Sequence, residues 1–271
     1  MLMGQNFNYP VLPDTISDRQ ERVDYMVEHF WNAQNIADTT YFQTPTLLLD
    51  YLYLLKQVTD VDKDIHAFVS LSCLQERTFG LILYWLDNIL YDSSSPFYNE
   101  DLYMRFMNEV LVSRADPVMK LLPQQRVEIM SKNKVGELAT DFSFEDKKGN
   151  VYSLYEVGAS HTLLIFNNPS CSLCHATEET ITRNSEIQSL IASGKMRIIA
   201  ITSDADYEEW LEYKYPFNWT VGYDKESVIY NQVLYDIQRL PCLYLLDKDK
   251  RVLVKEADFG RVLNYLSTHS L

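Results

Sequence analysis

Two hydrophobic rhythms divide the chain. Up to about residue 131, apolar side chains recur every three or four positions: Val23, Met26, Val27, Phe30 and Trp31, then Leu47, Leu48, Tyr51, Leu52, Leu55 and Val58, then Leu102, Tyr103, Phe106, Met107, Val110 and Leu111. That is the period of a helix with one face turned to a core. Residues 7–15, with Pro10 and Pro13, read as an extended arm. Helices are expected over 18–34, where Ser17 and Gln20 have capping-box spacing, from Thr44-Pro45 to about Val58, over 62–77 and 78–91 meeting near Gly80, and over 100–115 with Asn99 as cap. Asp116-Pro117 starts a further short one. Strand patterns are nearly absent here, so residues 1–131 are expected to form a separate all-α domain.

After the polar break Ser131-Lys132-Asn133-Lys134 the rhythm changes. Residues 139–144 alternate as a strand, Asp146 to Asn150 is turn-like, and 151–154 returns. The apolar runs 162–167 and 196–202 read as buried strands and 219–223 as a short one, while 240–247 and 251–256 pair around the turn 247–250. Helices are expected over 172–192, from Asp204 or Asp206 to Tyr213, over 225–234 and over 259–268. This alternation, closed by a hairpin, predicts an α/β domain with a mixed sheet over 132–271.

Composition narrows the function classes. With 46% hydrophobic and 23% charged residues the 271-residue chain reads as globular, and its net charge of -14 gives no electrostatic support for binding nucleic acid. No apolar run approaches the ~18 residues of a membrane span. Met1-Leu2-Met3-Gly4 followed by Gln5-Asn6 is not a signal peptide. Four cysteines are too few for a disulfide framework. Two of them, in Asn167-Asn168-Pro169-Ser170-Cys171-Ser172-Leu173-Cys174-His175, stand two residues apart where a buried strand passes into a helix. The helix N-terminus favours a thiolate at Cys171, so the pair has the makings of a redox site. Cys73, between Leu71 and Leu74, reads as an inert buried thiol in a helix-to-helix core.

Three segments carry a family resemblance. These are Gly136-Glu137-Leu138-Ala139-Thr140-Asp141-Phe142 before the Gly149 turn, Asn168 to Cys174, and Arg239-Leu240-Pro241-Cys242-Leu243-Tyr244-Leu245-Leu246-Asp247. On them, residues 134–271 resemble the thioredoxin-like fold, in its branch of envelope thiol-disulfide oxidoreductases and redoxins. The helical half resembles a domain of unknown function that precedes such domains in bacterial envelope proteins. The resemblance implies Cys171 as nucleophile, Cys174 as resolving thiol and Pro241 beside them, preceded by a cis bond. It also implies protein thiols or disulfides and a redox partner protein as partners, no cofactor, and a periplasmic or envelope location, with the cytoplasm left open.

The departures from that family define the auxiliary candidates. Ser170 stands where thioredoxins commonly have Trp, and Ile165 where they have a buried proton-accepting Asp. Glu178, one turn beyond Cys174, is the substitute acid, against an exposed helix carboxylate as the simpler expectation; the acid of envelope relatives would sit at Thr177. His175 can favour the thiolate if protonated, and is expected to point to solvent. Cys242 is either a third redox thiol or a small residue packed against the site, the second being favoured. Cys171, Cys174, His175 and Cys242 as zinc or iron-sulfur ligands are disfavoured, since adjacent helical residues diverge and only one pair has ligand spacing. A peroxidase would need Thr at Asn168. An interaction module, with the redox half as support, is the alternative reading.

Overall fold

The computed structural model describes residues 7–203 and 205–269. The expectations for Met1 to Gly4 and for Asp204 lie outside them. The chain divides into two compact units, Met1–Val127 and Glu128–Leu271.

In the first unit the helices are α1 Arg19–His29, α2 Thr46–Leu55, α3 Val61–Ser72, α4 Glu76–Leu86 and α5 Glu100–Val112; α6, Leu121–Met130, runs across the boundary. Asp18, not Ser17, caps α1 by accepting from the Glu21 amide, so the capping-box expectation is corrected. A carboxylate one residue closer to the first turn also meets the positive end of the helix. The helix stops at His29 rather than at 34, and a 3-10 turn, Thr39–Phe42, follows. The expected stripes face inward: Phe30, Trp31, Phe42, Tyr51 and Phe68 pack ring against ring with centroids 4.9–5.6 Å apart. At the end of α4 a π-helical turn, Asp87–Tyr91, turns Asp87 toward Tyr103 and Arg126, whose guanidinium donates to both carboxylate oxygens at 2.9 and 3.0 Å.

The second unit is a seven-stranded mixed sheet: β1 Ser143–Glu145, β2 Val151–Ser153, β3 His161–Phe166, β4 Met196–Thr202, β5 Thr220–Tyr223, β6 Cys242–Asp247 and β7 Val252–Ala257, in the spatial order β2-β1-β5-β4-β3-β6-β7. Strands β3, β4 and β5 run parallel; the others join antiparallel. Helices α7 Ser172–Arg183, α8 Ser185–Ala192, α9 Tyr207–Glu212, the one-turn α10 Val228–Asn231 and α11 Phe259–His269 complete it. Alternation along β3 sends Leu163 and Ile165 to a core shared with Ile181, Ile187, Val262 and Leu266, and Leu164 and Phe166 to a second core with Phe142, Phe144, Tyr235 and Cys242. The central strands are therefore covered on both faces, which is why they read as unbroken apolar runs.

Three sequence expectations change here. The strand over 139–144 shrinks to Ser143–Glu145, because the Ala139 amide is taken by the Lys250 carbonyl. The helix over 172–192 breaks at Asn184, which ends α7 and caps α8 by accepting from Ile187 N–H. The helix over 225–234 is one turn, since Asp224 takes the Val228 and Ile229 amides and Val233 adopts a left-handed backbone.

One close approach makes a prediction. A Cβ on Gly222 in β5 would overlap the buried Phe144 ring and the Ile201 side chain. Gly222→Ala is expected to destabilise the protein by about 1–3 kcal/mol in urea unfolding, with little change in the slope of the transition.

Candidate redox site

The site begins where β3 ends. Asn167 keeps the strand's course by donating its amide to Ile201 O at 3.0 Å, and Asn168 then closes a turn, its side chain accepting from Ser170 N–H at 2.8 Å and its carbonyl from Cys171 N–H at 3.0 Å. Cys171 is the N-cap of α7, and its sulfur accepts from Cys174 N–H at 3.1 Å. Cys171 and Cys174 are joined by a disulfide, with Cα atoms 5.2 Å apart. Cys171 is half-buried and Cys174 has no exposed surface, so a partner sulfur can approach only the first. The Leu240–Pro241 peptide is cis, and the Leu240 carbonyl oxygen lies 3.8 Å from Cys171 Sγ.

Glu178 is not the exposed carboxylate the sequence suggested. It faces inward on α7 with Cys174 and Ile181 and keeps only 6% of its surface. Its two oxygens accept from Asn167 Nδ2 at 2.9 Å and Tyr213 Oη at 2.7 Å. Asn167 Oδ1 in turn accepts from Thr202 Oγ1 at 3.1 Å, and Thr202 shares a hydrogen bond with Tyr215 at 3.0 Å. Burial and the Glu178 carboxylate push the Tyr213 hydroxyl well up, and burial takes Tyr215 to about 12, so both phenols stay protonated donors at neutral pH. Thr177, by contrast, has no part in this chain of bonds.

His175 is at the surface, as expected, but carries contacts that its sequence position does not reveal. The residue is exposed, but its ring is not free: Nε2 lies 2.6 Å from the Pro169 carbonyl, which only accepts, so Nε2 carries the hydrogen. The ring stacks on Tyr213 with centroids 5.1 Å apart. On the outer edge of the turn Ser170 Oγ donates to Glu209 Oε1 of α9 at 2.5 Å.

Cys242 opens β6 directly after Pro241, opposite Phe166. Its thiol is buried and donates to the Asp236 carbonyl at 3.6 Å; burial, with Glu256 and Asp236 nearby, pushes its titration far above the ordinary thiol range. Cys73 is likewise a buried free thiol. Ile165 sits wholly within the apolar core under α7. Among the described residues no group of three His, Cys, Asp or Glu is placed to hold a metal ion, and no helix is long and apolar enough to cross a membrane.

Sequence reasoning named Asn167 only as the start of the cysteine stretch and missed Thr202, Tyr213, Tyr215 and Glu209. No local pattern marks them, because they come together only when α9 and the segment after it fold back beside α7.

Residues 3–133 match a family described as "Domain of unknown function (DUF5106)". No curated protein matches. Among solved structures the chain is similar to a thioredoxin-like protein from Bacteroides caccae, at 31% identity and a TM-score of 0.82 over 98% of this chain and 99% of that one. It is also similar to the C-terminal domain of an uncharacterized protein from Bacteroides fragilis, at 38% identity over 50% of this chain and 98% of that one, with a TM-score of 0.49. A conserved protein of unknown function from Bacteroides fragilis matches at 32% identity over 49% of this chain and 98% of that one, with a TM-score of 0.48.

Proposed function

Because this chain belongs to the thioredoxin-like proteins, we propose that it is a thiol-disulfide oxidoreductase acting on protein disulfides through Cys171 and Cys174. The observation that carries the reading is the asymmetry of the pair: Cys171 caps α7 and is reachable, while Cys174 is sealed behind it. The amide of Cys174 and the end of the helix dipole stabilise negative charge on Cys171 Sγ in the reduced protein. Cys171 thiolate attacks a partner disulfide, forming a mixed disulfide and releasing one partner thiolate. Cys174 then attacks Cys171 Sγ, releases the second partner thiolate and closes the pair. The same steps in reverse oxidise a dithiol.

Pro241, whose preceding carbonyl lies 3.8 Å from the half-buried Cys171 Sγ, is assigned to the site. Glu178 is assigned the proton of Cys174: it follows one turn later on the same buried face, and its hydrogen bonds to Asn167 and Tyr213 come from neutral donors. His175 acts as a clamp on the Pro169–Cys171 turn. Cys242 is a packing residue, since its thiol is held protonated and enclosed. The residues of DUF5106 are assigned no chemistry. An envelope location, where disulfides persist, belongs to the same reading.

The test is equilibration in glutathione redox buffers. One thiol pair is expected to interconvert between disulfide and dithiol with a single midpoint, and reduced native protein is expected to alkylate rapidly at Cys171, with Cys242 and Cys73 modified only after unfolding. A pair that does not equilibrate, or reduced protein that fails to reduce a disulfide-bonded protein substrate, rules the reading out.

A further inference from the structure

The active-site turn and α7 are fastened to α9 and the residue that follows it at three points: Ser170 to Glu209, the His175 ring to Tyr213, and Glu178 to Tyr213. The second and third are explained by orientation and by the buried carboxylate. The first is not. Ser170 and Glu209 are both exposed, so neither group needs the other to satisfy its hydrogen bonding, and yet the hydroxyl donates to the carboxylate rather than to water. Its consequence is that a carboxylate is held one residue from Cys171, rather than being left to swing on a solvated side chain.

α9 is itself well anchored. Asp206 caps it, its Trp210 has no exposed surface, and the Lys147 ammonium donates to the Leu211 and Tyr213 carbonyls at its end while lying over the Trp210 ring. The carboxylate therefore rides on a fixed support. Other ionisable groups around Cys171 come from two elements. On α7 these are His175 and the buried Glu178; on the segment before Pro241 they are Arg239, exposed, and Asp236, buried. Glu209 differs from these in accepting, through a carboxylate oxygen, a hydrogen bond from Ser170, the turn residue that adjoins Cys171.

We propose that Glu209 is a positioning residue of the redox pair, held by Ser170 so that its negative charge opposes thiolate at Cys171 and favours the closed disulfide. This rests on the oxidoreductase reading and gives it a direction. A charge that raises the free energy of the thiolate leaves the neutral disulfide untouched, so the reduced form is a better electron donor. The protein then acts as a reductase of partner disulfides. Two electrons and two protons leave Cys171 and Cys174, one S–S bond closes between them, and one S–S bond in the partner opens to two thiols. A dithiol reductant protein must restore the pair. The helix end and the Cys174 amide pull the other way, and Glu209 sets how far they succeed.

The experiment measures the pH dependence of iodoacetamide alkylation at Cys171 in the Cys174→Ser protein, which needs no exchange activity. Glu209→Gln and Ser170→Ala are each expected to lower the titration midpoint of Cys171 by about half to one unit, the size for a like charge screened by solvent. Molar sodium chloride is expected to lower the midpoint with Glu209 in place and to leave the Glu209→Gln protein nearly unmoved. With both cysteines present, Glu209→Gln is expected to shift the glutathione equilibrium toward the dithiol, about twofold to tenfold. A midpoint unchanged or raised in Glu209→Gln overturns the proposal, as does a shift indifferent to salt. If the midpoint moves but the pair never exchanges with disulfides, the charge effect stands and the oxidoreductase reading fails. If exchange occurs and the midpoint stays, the reverse holds.

Discussion

Cys171→Ser is expected to lose all disulfide exchange, while Cys174→Ser keeps the first half of the reaction and loses the second. Only Cys171 combines an accessible sulfur with a helix cap that stabilises its thiolate, so its removal leaves no nucleophile that a folded partner can reach. Cys242 cannot substitute, because its thiol is enclosed and kept protonated. In Cys174→Ser the attack still forms a mixed disulfide, but the resolving sulfur is gone and the adduct persists. The measurement is non-reducing electrophoresis with mass mapping of the linked peptide. An adduct at Cys171 in Cys174→Ser and none in Cys171→Ser is the expected pair of results; equal adduct formation in both, or an adduct mapped to Cys242, contradicts the assignment. The trapped species also names the partner.

Much of this arrangement was legible in the sequence, and what was not has a common cause. Local pattern carried the strands flanking the site and the helix that begins at the cysteines, because each is written in adjacent residues as apolar runs, turns and spacing, whereas the place of Pro241 followed from the family resemblance. The surroundings of the pair were not legible. Glu178 reads as a helix-surface carboxylate when only α7 is considered, since nothing within the helix reveals that Tyr213 and Asn167 meet it from elsewhere. The break at Asn184 was hidden for a related reason. Asn184 satisfies the start of α8 with its own side chain, and no glycine or proline between Ser172 and Ser193 marks the break. In the first unit the stripes were read correctly as core, but which aromatic rings touch was not, because ring contacts depend on how helices cross rather than on their order.

Removing Glu178 is expected to separate structure from chemistry according to what replaces it. Glu178→Ala strands the buried Asn167 amide and the half-buried Tyr213 hydroxyl, and opens space on the inward face of α7. Desolvated groups left without partners, together with the cavity, cost about 2–5 kcal/mol, which urea unfolding of the oxidised protein will register as a large fall in midpoint. Glu178→Gln is different. Its carbonyl oxygen can still accept from Asn167, and its amide can donate to Tyr213 if that hydroxyl turns to accept, so both contacts survive and the loss should stay within about 1 kcal/mol. What the glutamine cannot do is take up a proton at neutral pH. If Glu178 receives the proton of Cys174, the resolving step in Glu178→Gln slows on the order of 10²-fold near pH 7. The rate should recover toward higher pH, where Cys174 loses its proton to solvent. Stopped-flow release of the second thiol from a preformed mixed disulfide reads that step alone. An unchanged rate in Glu178→Gln beside a destabilised Glu178→Ala would leave Glu178 as a brace between α7 and Tyr213, with the proton of Cys174 passing directly to water.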